Sequence, residues 1–112
     1  MKIIELRDIA KEFGGGYIPS ENCVKFKNYC VVANGYSVDI TVTPTEQANY
    51  FYVGTHCDMN APLGRGAFDE NGDVNFKNIF KSSAYEEMQD AGKEFSYILH
   101  AWVAQVVSNG DD

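Results

Sequence analysis

The sequence predicts an α+β fold: an antiparallel sheet of three to five strands, with a short N-terminal helix and a long C-terminal helix packed on one face. Three observations carry this reading. Apolar residues step by three and four across residues 85–106. They alternate strictly with polar residues across 36–43. A second, shorter helical pattern opens the chain and ends in Gly14-Gly15-Gly16.

The first helix is expected over Lys2 to Phe13. Ile3, Leu6, Ile9, Ala10 and Phe13 share one side, while Glu5, Arg7, Asp8, Lys11 and Glu12 share the other. The glycines end it, because glycine readily takes the left-handed conformation that follows a helix. Pro19 marks a loop.

A hairpin follows. Tyr29–Ala33 and Tyr36–Thr43 flank Asn34-Gly35, a pair suited to a two-residue turn with positive φ. That turn would set Tyr36 opposite Ala33, Val38 opposite Val31, and Ile40 opposite Tyr29. Cys23 to Lys27 extends the first strand through a bulge, since Phe26 otherwise falls on the wrong face. After a turn at Pro44–Gln47, Asn49–Thr55 reads as a third strand, rich in aromatic and β-branched residues. A weaker hairpin is expected where Ala67-Phe68 and Val74–Phe76 flank Asp69-Glu70-Asn71-Gly72-Asp73.

Ser83 with Glu86 has the spacing of a helix-start capping box. Tyr85, Met88, Gly92, Phe95, Leu99, Trp102 and Val106 then form a continuous seam, widened by Ala91, Ile98 and Val103. From Tyr97 to Val107 the helix is apolar nearly all round, which predicts burial on more than one side. The expected core is Ile3, Leu6, Ile9, Phe13, Val31, Val38, Ile40, Val42, Phe51, Val53, Met88, Phe95, Leu99, Trp102 and Val106. Residues 1–112 read as one domain without internal repeats.

Composition limits the function. With 112 residues, 45% of them hydrophobic and 13% aromatic, the chain can build a core without disulfides or metals. The net charge is −7, carried mainly by residues 57–112, with ten acidic against four basic side chains. A basic footprint for phosphate is absent, so direct nucleic-acid binding is not expected. No stretch has the length and apolarity of a membrane span. Three cysteines do not close a disulfide framework, and charges interrupt the apolar residues at the start as they would not in a signal peptide. A cytoplasmic location with reduced thiols is the expectation.

Motifs for chemistry are weak. Thr55-His56-Cys57-Asp58 invites a thiolate mechanism centred on Cys57, but neighbours on an extended chain point to opposite faces. His100 could reach Cys57 only through the fold. The same residues lack the paired spacing of a zinc site. The run 69–73 resembles the start of a calcium loop, yet Val74 holds the glycine position and Phe80 the bidentate acid position. The glycine run 14–16 follows a helix and lacks the Lys-Ser/Thr of a phosphate loop. No catalytic residue, cofactor or metal is expected.

By elimination, the sequence points to a small acidic, non-enzymatic protein that binds and modulates, most simply inhibits, a protein with a basic surface. The expected contact residues are Asp69, Glu70, Asp73, Glu86, Glu87, Asp90 and Glu94. Small acidic domains of this kind are typical of inhibitors carried by phages and other mobile elements, some of which imitate the charge of DNA; this is analogy at the level of class. The plainer account of those acids is solvation. An alternative is an adaptor resembling bacterial secretion chaperones in element order and charge, a homodimer through the C-terminal helix. A cysteine-dependent enzyme centred on Cys57 is the third reading.

Overall fold

The computed structural model describes residues 2–32, 36–57, 71 and 83–110. The elements are α1 (Leu6–Phe13), β1 (Gly16–Ile18), a 3-10 turn (Pro19–Glu21), β2 (Cys23–Val31), β3 (Ser37–Pro44), β4 (Phe51–Cys57) and α2 (Ser83–Asn109). The four strands form one antiparallel sheet in the order β1-β2-β3-β4. The expected α+β architecture is the one observed.

The first helix starts later than its periodicity implies, at Leu6. Asn49 is the reason. Its Oδ1 accepts the Ile4 N–H at 2.8 Å, and its Nδ2 donates to the Lys2 carbonyl at 2.8 Å. These bonds hold residues 2–4 outside the helix against the turn before β4. The Glu5 N–H then donates to Asp8 Oδ2 at 2.9 Å, capping the helix start. Ile4 is consequently the buried residue, while Ile3, expected in the core, is 55% exposed. Gly14, at φ +78°, closes α1 and returns its N–H to the Ala10 carbonyl.

The hairpin register differs by one residue from the expected one. Val38 stands opposite Cys30, not Val31, and Ile40 opposite Phe26, not Tyr29. The Val32 N–H bonds the Tyr36 carbonyl at 2.9 Å, so three residues, 33–35, separate the partners instead of two. Asn34-Gly35 itself lies outside the described residues. A one-residue slip exchanges the faces of a strand. Val31 therefore turns out to solvent at 70% exposure, while Val32 and Tyr36 are buried.

The expected bulge in β2 is present between Phe26 and Cys30. Lys27, Asn28 and Tyr29 there stand against Asp39 alone. Asn28 takes φ +56°, its N–H donates to Asp39 Oδ1 at 2.8 Å, and its Oδ1 accepts from Ser37 Oγ at 2.6 Å. With this bulge Phe26 and Cys30 both face inward.

One face of the sheet carries Val24, Phe26, Val38, Ile40, Val42 and Phe51, all buried. α2 lies along it, presenting Ala91, Phe95, Leu99 and Val103. Phe95 packs its ring against Phe13 of α1 and against Phe26 and Tyr29 of β2, with centroids 4.9–5.6 Å apart. Trp102 packs edge-on to Phe13 at 5.5 Å and is half-buried, as are Phe13, Val53, Met88 and Val106. Val32, Tyr36 and Val38 form a second cluster, with Cys30 and Met88 against it. The C-terminal half of α2 is buried on one side only: Tyr97 is 80% and Ile98 43% exposed.

The expected hairpin around residues 69–73 falls almost entirely outside the described residues.

α2 crosses β4 at Gly92, where an added Cβ would lie 2.8 Å from the Thr55 γ-methyl carbon. Gly92→Ala should therefore lower stability, by about 1–3 kcal/mol for overpacking, although alanine favours a helix by about 1 kcal/mol. In a Thr55→Ser background, which lacks that methyl, the same substitution should become neutral or stabilising. Urea denaturation of the four variants measures this coupling.

Candidate functional site

The seam of α2 determines which residues it shows to solvent. At 100° per residue, burial of Ala91, Phe95, Leu99 and Val103 turns Glu86 and Asp90 away from the sheet and sets Glu87 and Glu94 on the flank above β2. All four acids are exposed. Glu86 lies in the first turn, where a carboxylate meets the positive end of the helix dipole. Asp69, Glu70 and Asp73, expected on the same face, lie outside the described residues.

The negative charge reaches onto the sheet. The Cys30 thiol is pushed above its ordinary range, first by burial and then by Glu87 and Glu94. Tyr29 is likewise raised, by burial and then by Glu94 and Cys30. The carboxylates on the β2 flank of α2 thus act on the bulged end of β2, Glu94 on Tyr29 and both Glu87 and Glu94 on Cys30. Cys30 was not legible as part of this site, because the expected register, one residue off the observed one, turned it to the outer face.

Of the cysteine and metal constellations, Asp58 and the Cys57 side chain lie outside the described residues. His56 is exposed and pairs with Asp39 on the outer face of the sheet. His100 projects from α2 over the inner face and accepts the Phe51 N–H on Nε2 at 3.1 Å. Phe51 and Cys57 are the two ends of β4, six residues and about 20 Å apart along an extended strand. His100 is thus committed far from Cys57. Among the described residues, no group of three His, Cys, Asp or Glu side chains is placed to hold a metal ion.

A groove of about 650 Å³ runs between β4 and α2, lined by Tyr50, Tyr52, Thr55, Gln89, Lys93 and Ser96 among others. No carboxylate, thiol or imidazole is among its described lining residues. Among the described residues, no helix is long and apolar enough to cross a membrane.

Comparison of the chain with protein-family models, curated proteins and solved structures finds no match.

Alkylation rates at pH 7.5, resolved by peptide mass spectrometry, test the reach of the acidic flank. Only the thiolate reacts, so Cys30 should react more slowly than an unstructured thiol. Glu87→Gln with Glu94→Gln should speed it. A rate unchanged by both substitutions would show that these carboxylates do not govern the site.

Proposed function

We propose that this chain acts by binding another protein and modulating it, most simply by inhibition, through the acidic face of α2. Glu86, Glu87, Asp90 and Glu94 would meet a basic surface on the partner. What supports the reading is the field of Glu94 over Tyr29 and of Glu87 and Glu94 together over Cys30. It makes an electronegative patch that continues from helix to sheet, with an aromatic ring in it. Charge complementarity over such a patch steers association and selects partners. The sequence reading adds Asp69, Glu70 and Asp73 to the contact set.

A second reading rests on a different observation. Tyr97 and Ile98 expose apolar surface on the half of α2 that lacks charge. A homodimer through this helix, as in the adaptor reading, would cover them.

Capture from native host lysate with the tagged chain separates the two. The inhibitor reading predicts one stoichiometric protein, released at high salt and lost with the variant Glu86→Lys, Glu87→Lys, Asp90→Lys, Glu94→Lys. Its counter-outcome is a partner that the charge-reversed, folded variant retains equally well. The homodimer reading predicts a dimer by sedimentation that Tyr97→Glu converts to monomer; a monomeric wild type would remove it.

A further inference from the structure

His100 joins α2 to the first residue of β4. An amide N–H can only donate, so the Nε2 that receives the Phe51 N–H carries no proton. Nδ1 lies 2.8 Å from the Ser96 carbonyl oxygen, which can only accept. Ser96 Oγ lies 3.3 Å from the same nitrogen. Together these contacts fix a neutral ring with its proton on Nδ1. Tyr50, in the turn before β4, stacks on the imidazole at 5.0 Å and 33°, and the Phe51 ring stands at 6.3 Å.

Among the described residues, the groups facing the ring offer an added proton no counter-charge. From the turn before β4 comes the Tyr50 phenol and from α2 itself comes Ser96; Lys93, two helical turns away, lines the neighbouring groove. Glu46, in the turn carrying Tyr50, forms no ion pair with His100, and neither does any other carboxylate among the described residues.

We propose that His100 is a proton-operated clasp between α2 and the start of β4. Uptake of a proton from solvent places an N–H on Nε2 directly against the Phe51 N–H, donor against donor. The contact opens, and the Phe51 amide loses its acceptor at the mouth of the groove between β4 and α2. The acidic face on the other flank of the helix takes no part, so the clasp stands independently of the binding reading.

The test compares urea denaturation of wild type and His100→Gln between pH 7.5 and pH 5, the range over which histidines take up a proton. Glutamine keeps an acceptor oxygen but does not titrate there, and all other titrating groups are common to both proteins. The unfolding equilibrium constant of wild type should rise relative to His100→Gln by about fivefold or more, as expected when a backbone donor is left unpaired. The protection of the Phe51 amide against hydrogen exchange, relative to its intrinsic rate at each pH, should fall over the same range in wild type alone. Parallel pH profiles would overturn the proposal. Nitrogen NMR of wild type at pH 7.5 decides it even if the variant does not fold: an Nδ1–H tautomer is expected, and a proton on Nε2 would contradict the clasp.

Discussion

The structure depends on the burial of Phe95. Its ring meets α1 through Phe13 and β2 through Phe26 and Tyr29, so a single side chain ties three elements together. Ring pairs at these separations add to the stabilisation that apolar burial already provides. Phe95 also sets the rotation of α2. With Phe95, Leu99 and Val103 turned inward, His100 is carried over β4, Glu87 and Glu94 over β2, and Tyr97 into solvent. The acidic face and the histidine clasp are both consequences of one docking geometry.

The long-range pattern was legible in the sequence where the periodic signal was long. The seam of α2 gives Phe95 and Leu99 as core. The alternation of Val38, Ile40 and Val42 gives the inner face of β3 directly. Errors arose where a single residue decided the outcome. One extra residue between Val32 and Tyr36 exchanged the faces of the strand end and put Val31 in solvent. Asn49, 45 positions from Ile4, held the N-terminal segment out of the helix and exposed Ile3. β1 has three residues, too few for any periodicity to register. Tertiary hydrogen bonds of this kind leave no local pattern.

The candidate site divides in the same way. The helix acids were identifiable, since four carboxylates within nine residues leave a helical face little else to be. Their reach to Cys30 required a hairpin register one residue off the expected one; the conflict of faces at Phe26 announced a bulge but not that register. His100 stood out only as a distant candidate partner for Cys57. Its four-residue spacing from Ser96 was the one local hint of its bond to that carbonyl, and the Phe51 N–H could be assigned only from the fold.

Docking of α2 through Phe95 holds the domain together. Equilibrium unfolding of Phe95→Ala, followed both by far-ultraviolet circular dichroism and by Trp102 fluorescence, tests it most directly. The account predicts a loss of about 3–5 kcal/mol, with the two signals still changing together if the variant folds. A loss below about 1 kcal/mol, the size expected of a surface substitution, would show that α2 is not held to the sheet by this ring.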